Sequence, residues 1–179
     1  MRGLAHLAAV NEAYPAEAPT VRSADVAGLS ALYHEAYHRF VRVAEAITRD
    51  PEEARDAVQE GFANALRELD RFTGRGSFEG WVWRCVTNAA RMSRRKSRFR
   101  VLATSPESPV EAVEPERKLL ERIGRLPERQ RLVLFLRYFA DLSYDGIAEA
   151  LDVSPGTVAA TLNAAHRTLR RELEEADDD

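Results

Sequence analysis

The basic stretch at residues 91–100 contains the side chains whose chemistry is easiest to name. It holds six Arg or Lys residues and no Asp or Glu, although the whole chain of 179 residues carries a formal net charge of −3. It ends a segment that starts at Trp81 and has the apolar spacing of an amphipathic helix. The polar residues of one helix face are Asn88, Arg91, Arg95 and Arg98. Such a helix is suited to bind a polyanion, and the alternative is a solvated helix end whose cations complement the helix dipole.

Charge is divided unevenly along the rest of the chain. Residues 29–100 and 117–171 each carry +4, whereas residues 101–116 carry −4 and residues 172–179 carry −6. Two basic blocks separated by an acidic spacer predict two modules that bind one anionic partner. The hydrophobic content of 45% and charged content of 31% are typical of a soluble globular protein.

Helical periodicity and helix-start signals predict an all-α protein with two small domains. A first helix should follow Ser23 or Asp25 and end near Thr48, and Asp50-Pro51 should begin the second with an N-cap and a first-turn proline. The predicted divisions are a flexible extension (1–22), a first helical domain (23–100), a linker (101–116), a second helical domain (117–173) and an acidic tail (174–179).

The second and third helices should each present one apolar and one polar face. The second should bury Val58 and Phe62, and should present Asp56, Gln59 and Glu60 either to solvent or to a protein partner. The third should be capped by Ser77. Its predicted core face is Phe78, Trp81, Val82, Cys85, Ala89 and Met92.

Residues 142–158 have the pattern of a helix-turn-helix. A helix over 143–151 is followed by a tight turn, and Ser154-Pro155 then gives a second cap-and-proline start. The predicted shared core is Ile147, Leu151, Val153 and Val158. Such a motif can place the N-terminal end of its second helix in the major groove of DNA. The alternative is an ordinary helical hairpin.

Aromatic residues around the third helix indicate a second mode of nucleic-acid binding. Aromatic rings combined with cations can hold the unstacked bases of single-stranded DNA. Phe78 and Trp81 are better explained as core residues. Trp83 lies off the predicted core face, and we therefore expect it to be exposed and available for contact.

The sequence contains no recognisable catalytic or metal-binding constellation. Its four histidines are scattered without metal-ligand spacing, and there is no P-loop or nucleophile elbow. We therefore expect no enzyme activity, no cofactor and no metal. Cys85 is the only cysteine, which excludes an intramolecular disulfide and indicates a reducing compartment. No apolar stretch is long enough to span a bilayer, so we expect a cytoplasmic protein.

These features together resemble the extracytoplasmic-function group of the sigma-70 family over about residues 28–173. Residues 56–62 are similar to the segment that docks on polymerase, 72–78 to the loop that captures a flipped minus-ten base, and 78–91 to the promoter-melting helix. Residues 126–158 are similar to the region that reads the minus-thirty-five element.

The resemblance implies three sets of site residues. The minus-ten set is Phe72, Arg75, Ser77, Trp83, Arg84, Thr87, Asn88, Arg91, Arg94, Arg95 and Arg98. The helix-turn-helix set is Ser154, Thr157, Ala160, Thr161 and Arg167, and the polymerase set is Asp56, Gln59 and Glu60. The implied partners are core RNA polymerase, promoter DNA and an anti-sigma factor.

The recognition helix departs from the family pattern. After Val158 the sequence is Ala-Ala-Thr-Leu-Asn-Ala-Ala, and no Lys or Arg occurs until Arg167. Because phosphate contacts supply much of the affinity for DNA, this helix should bind DNA weakly. On the resemblance as a whole, we interpret the chain as an alternative sigma factor that melts the minus-ten element. The alternatives are a sigma-like decoy that sequesters an anti-sigma factor and a stand-alone DNA-binding regulator.

Overall fold

A computed structural model describes the backbone of residues 23–74, 76–100 and 121–177, and their side chains apart from 98–100 and 172–177. Within these ranges every regular element is a helix, which confirms the all-α prediction. The helices are α1 (Val26–Thr48), α2 (Pro51–Arg67), a 3-10 turn (Leu69–Arg71), α3 (Phe78–Arg100), α4 (Glu128–Tyr138), α5 (Tyr144–Leu151) and α6 (Pro155–Asp177). Residues 121–125 are also helical. The predicted extension and linker lie outside the described residues.

Side-chain caps fix the helix starts that the sequence predicts. Asp25 caps α1 by accepting the Gly28 N–H at 2.7 Å. Asp50 Oδ1 accepts the N–H groups of the second and third residues of α2, both at 2.8 Å. Ser77 and Ser154 cap α3 and α6, each accepting the N–H group three residues on, at 2.9 and 3.1 Å. Each cap supplies an acceptor for a backbone N–H group that has no acceptor within the helix.

Helices α1 to α3 form the first module around an aromatic core. Phe40 of α1 stacks on Trp83 of α3 with ring centroids 3.8 Å apart, and Phe62 of α2 meets Phe40 edge to face at 4.9 Å. Helices α2 and α3 cross closely at Gly61, where an added Cβ would lie 2.6 Å from the Cα of Val86. The predicted burial of Val58 and Phe62 is confirmed.

Helices α4 to α6 form the second module, and α5 and α6 make the predicted helix-turn-helix. Asp152 ends α5 in the left-handed region, with φ of 56°, and this reverses the chain before α6. Ile147, Leu151 and Val158 are buried as predicted, whereas Val153 is half-buried. Helix α6 continues to Asp177, so residues 174–177 extend the helix.

The two modules pack together into one continuous hydrophobic core, with α3 against α5 and α1 against α4. Arg131 of α4 lies at this junction and is only 3% exposed. Its guanidinium donates to the backbone oxygens of Ala46 at 2.8 Å, Gly124 at 3.1 Å and Leu126 at 3.0 Å. Arg131 therefore ties the C-terminal end of α1 to the second module.

The predicted core face of α3 is wrong in two places. Met92, predicted to be core, is 59% exposed, and Trp83, predicted to be exposed, is fully buried. Val82 and Val86 are fully buried beside Trp83, so the buried face is turned by about one residue from the predicted one. The reason is tertiary: α3 packs on α1 and α2 along one side and on α5 along another.

Candidate nucleic-acid interface

The outer face of α3 carries the cations that the sequence singled out. Asn88 and Arg95 are exposed, and Arg91 is half-buried. The side chain of Arg94 is 22% exposed. Arg98 lies within the helix, but its side chain is outside the described residues. A helix face of this composition can approach a phosphate backbone with several positive charges at once.

An aromatic cluster stands at the N-terminal end of α3. Phe72 lies 5.5 Å from Phe78 and 5.4 Å from Trp81, measured between ring centroids. Phe72 and Trp81 are half-buried, whereas Phe78 is buried, so the cluster offers partly accessible rings beside the cationic helix. Arg75, in the same loop, is outside the described residues. Rings in this setting can stack on an unpaired base.

A carboxylate from the second module lies at the N-terminal end of α3, beside its capping residue. The exposed Ser77 donates its backbone N–H to Glu149 Oε2 of α5 at 2.8 Å. Gly76 and Gly80 leave room for that carboxylate, since a Cβ at either position would lie within 2.8 Å of Glu149 oxygens. Burial raises the pKa of Glu149, and the hydrogen bond from Ser77 opposes that rise.

Two further acids of the second module pair with cations on α3. Asp152 lies 3.2 Å from Arg84, measured between Oδ2 and Nη2. Glu128 lies 2.7 Å from Arg94 and 3.9 Å from Arg91. These pairs are partly open to solvent, so each contributes at most about 1 kcal/mol. Together they cover cations that the sequence assigned to DNA.

Two residues predicted to contact DNA are buried inside the protein. Trp83 fills the core against Phe40, and its Nε1–H points to Glu79 Oε1 at 3.5 Å. Thr87 has no exposed surface. Its hydroxyl group donates a hydrogen bond to the backbone oxygen of Ala150 in α5, at 3.1 Å. The prediction that Trp83 is exposed is therefore wrong. Thr87 is not on the accessible face in this structure because α5 covers it.

The recognition helix presents hydroxyl groups and small side chains. Ser154 and Ala160 are exposed, and Thr157 and Thr161 are half-buried. The hydroxyl of Thr161 donates to the Thr157 backbone oxygen, so its donor is engaged within the helix. The first exposed cation along this helix in the described chain is Arg167. The start of α6 can therefore contact base edges, but this end of the helix carries little positive charge.

The predicted polymerase-binding residues lie together on the outside of α2. Asp56, Gln59 and Glu60 are all exposed, and Glu60 forms an ion pair with Arg67 at 3.0 Å. Leu66 is 50% exposed and lies seven residues from Gln59, on the same side of the helix. This face therefore offers a partner both carboxylates and one exposed apolar side chain.

The described residues contain no cluster of three or more His, Cys, Asp or Glu side chains placed to hold a metal. No helix in the described ranges is long and apolar enough to cross a membrane. Burial raises the pKa of the half-buried Cys85 to about 11, so it remains a protonated thiol near neutral pH.

The acids at the junction were missed by sequence reasoning. Glu128 begins α4 and Asp152 lies in the turn after α5, where acidic residues are common for local reasons, whereas Glu149 lies near the C-terminal end of α5. Arg131 directly precedes the five-residue apolar run of α4, but arginine side chains are usually exposed, so its burial could not be expected from the sequence.

Each of the two modules matches a known family. Sequence models of sigma-70 region 2 and sigma-70 region 4 match residues 32–100 and 116–169. The ECF RNA polymerase sigma-E factor of Haemophilus influenzae is 29% identical over 139 residues, which cover 66% of this chain and 74% of that protein. The RNA polymerase sigma-H factor of Pseudomonas aeruginosa is 29% identical over 157 residues, which cover 76% of this chain and 81% of that protein.

A solved structure extends the comparison to the fold. The structure of CnrH in complex with the cytosolic domain of CnrY superposes with a TM-score of 0.64 and covers 95% of this chain and 96% of that chain, at 20% identity. The matched regions and relatives define a two-module transcription initiation protein. The chain belongs to the extracytoplasmic-function group of the sigma-70 family, and it is an alternative sigma factor that directs RNA polymerase to promoters.

Proposed function

We propose that the first module melts the minus-ten region of the promoter on the outer face of α3. The observation that carries this proposal is a cation-rich helix face placed directly after a partly accessible aromatic cluster. Arg91, Arg94 and Arg95 would contact the phosphate backbone, and Asn88 would hydrogen-bond to a base. Phe72 would stack on a base that leaves the duplex, which lowers the free-energy cost of unpairing it.

The exposed face of α2 would hold core RNA polymerase. Asp56, Gln59 and Glu60 supply the polar part of this surface, and Leu66 supplies an apolar contact. Docking through α2 leaves the outer face of α3 for DNA, because the two faces belong to different helices of the module. Polymerase acts in the cytoplasm, and we place the chain there.

The second module would sit over upstream DNA with low affinity of its own. Ser154, Thr157, Ala160 and Thr161 offer hydroxyl and methyl groups to base edges, and Arg167 offers one phosphate contact. Most of the promoter affinity would therefore come from the first module and from polymerase. The predicted linker connects the two while both are engaged.

We also propose an anti-sigma factor as a protein partner. The CnrH structure, which shares this fold, contains the cytosolic domain of a second protein, CnrY. An anti-sigma factor would regulate this chain by competing with polymerase. The second candidate function is a decoy that binds an anti-sigma factor without initiating transcription, and the cation-poor start of α6 favours it.

In vitro transcription separates these functions. Core polymerase and the purified chain are incubated with fragments of host genomic DNA, and the 5′ ends of the transcripts are mapped. We expect defined start sites that require the chain. Asn88→Ala combined with Arg95→Ala should reduce these transcripts about tenfold or more, since a hydrogen bond to a charged group contributes about 1.5–3 kcal/mol.

The matched control is Arg125→Ala, which removes an exposed cation from the second module. It should leave transcription close to the unmodified level. A chain that supports no start site on any fragment, but still binds an anti-sigma protein, would favour the decoy function.

A further inference from the structure

Met92 is an apolar residue on the outer face of α3. It is 59% exposed, although its spacing in the sequence predicted a core residue. Four residues follow one another at intervals of four, three and four and so form one row along this face: Trp81, Cys85, Asn88 and Met92. Trp81 and Cys85 are half-buried, whereas Asn88 and Met92 are exposed. The row therefore becomes more accessible toward its C-terminal end, where Met92 lies.

The surroundings of Met92 distinguish it from other exposed apolar residues. A single apolar side chain on a protein surface is common and needs no function to explain it. Met92, however, lies about one helical turn beyond Asn88. The exposed cations Arg95 and Lys96 lie three and four residues further on, to either side of it. DNA that binds this cationic face will therefore be brought against an apolar side chain.

The two ends of the outer face are suited to different forms of DNA. At the N-terminal end, the ring centroids of Phe72 and Trp81 are 5.4 Å apart, and such rings stack on unpaired bases. At the C-terminal end, Arg95 and Lys96 are exposed. A duplex carries twice the phosphate charge of a single strand per unit length, so the cationic end favours duplex DNA. The boundary between paired and unpaired DNA then falls between the two ends.

Met92 lies on the duplex side of this row. The rise of an α-helix places it about 16 Å along the axis from Trp81 but only about 4–6 Å from Arg95 and Lys96. A separation of 16 Å corresponds to roughly five stacked bases, at about 3.4 Å per base. Methionine is one of the side chains that proteins insert between base steps to unstack them. Because it is unbranched and flexible, it can fill an irregular gap between two bases.

We propose that Met92 is an apolar wedge that enters the base stack at the edge of the melted region. Its side chain covers the face of the last base pair of the duplex, and this contact offsets part of the stacking that is lost when the next pair separates. Arg95 and Lys96 hold the duplex phosphates beside it. The inference rests on the proposed role of α3 in promoter melting, and it adds the residue at which the strands begin to separate.

The test measures strand opening by core polymerase bound to the wild-type chain or to a Met92 variant. The first template is a duplex that carries a promoter recovered in the transcription assay, with 2-aminopurine in place of one adenine of the minus-ten region. The fluorescence of 2-aminopurine rises when this base leaves the stack, so the rate of the rise reports opening. The second template has the same sequence but is held open over the minus-ten region by mismatched bases. The rate of short-transcript synthesis is measured on both templates.

Met92→Ala should slow opening and transcription on the duplex template about threefold to tenfold, the size expected when part of a buried methionine contact is lost. On the mismatched template the loss should be less than about twofold, because unstacking costs least where the bases are already unpaired. Met92→Leu keeps an apolar side chain of similar volume and should stay close to the wild-type rate. Met92→Gln keeps the length of the side chain but not its apolar character, and it should behave like Met92→Ala.

The matched control is Val26→Ala, which truncates an apolar side chain on another helix. Val26 is 62% exposed, close to the exposure of Met92, and this variant should open and transcribe both templates at the wild-type rate. Thermal unfolding followed by circular dichroism should give the wild-type melting temperature for Met92→Ala, because the side chain that it removes is exposed. A clear fall in melting temperature would instead make Met92 a residue that supports the fold, and would overturn the proposal.

Wild-type opening of the duplex by Met92→Ala or by Met92→Gln would also overturn it. So would an equal loss on both templates, because Met92 would then bind DNA without helping to separate the strands. If Met92→Ala opens the duplex normally while the Asn88→Ala, Arg95→Ala variant does not, the wedge is refuted and promoter melting by α3 stands. A wild-type chain that opens no duplex template would refute promoter melting itself, and the wedge with it.

Discussion

Replacement of Trp83 tests whether this ring is a core residue or a base contact. The side chain is fully buried and stacks on Phe40 with ring centroids 3.8 Å apart and planes 27° from parallel. Truncation of a buried Trp to Ala costs about 3–5 kcal/mol, of which the aromatic pair accounts for about 0.5–1.5 kcal/mol. A loss of this size should lower the melting temperature by about 6–20 °C in a chain of this length.

The assay is urea unfolding followed by far-ultraviolet circular dichroism, since the neighbouring Trp81 complicates fluorescence. Trp81→Ala is the matched control, and it should cost less because that ring is only half-buried. Trp83→Phe should recover part of the stability and keep full affinity for forked DNA. A Trp83→Ala variant with a loss below about 1 kcal/mol, together with weakened DNA binding, would refute the assignment to the core.

Three further predictions follow from the packing and the exposed faces. Gly61→Ala should destabilise the fold by about 1–3 kcal/mol because the new methyl group meets the backbone of α3, whereas Gly124→Ala, with open space around it, should be neutral or stabilising in thermal unfolding. Asp56→Lys with Glu60→Lys should weaken core polymerase binding in a pull-down with unchanged circular dichroism, and wild-type binding would contradict the docking surface. Ala160→Lys should steepen the salt dependence of DNA binding by about 0.9 in the log–log slope, and an unchanged slope would place this position away from phosphate.

The local features of the fold could be predicted from the sequence, because they depend on neighbouring residues. The caps at Asp50, Ser77 and Ser154 each follow from a short polar side chain placed before a helical pattern. The core of the helix-turn-helix could also be predicted, because it depends on the local spacing of apolar residues. The outer face of α3 could be predicted in part, since Asn88 and Arg95 are exposed as expected.

The errors arose where tertiary packing decides the outcome. Helix α3 has apolar residues on more than one side, so its periodicity is satisfied by a face through Trp81 as well as by one through Trp83. The positions of α1 and α5 against α3 determine that the face through Trp83 is the buried one. The junction acids and Arg131 could not be predicted for the same reason, because their partners are distant in sequence.

Permanganate footprinting of the polymerase complex tests the role of α3 most directly. A promoter recovered in the transcription assay is incubated with core polymerase and either the wild-type chain or the Asn88→Ala, Arg95→Ala variant, and unpaired thymines are mapped. If α3 melts the minus-ten region, the wild-type complex will show reactive thymines there. The variant will lose them, although it will bind core polymerase as tightly as the wild type. Equal thymine reactivity in both complexes would contradict the assignment of promoter melting to the outer face of α3.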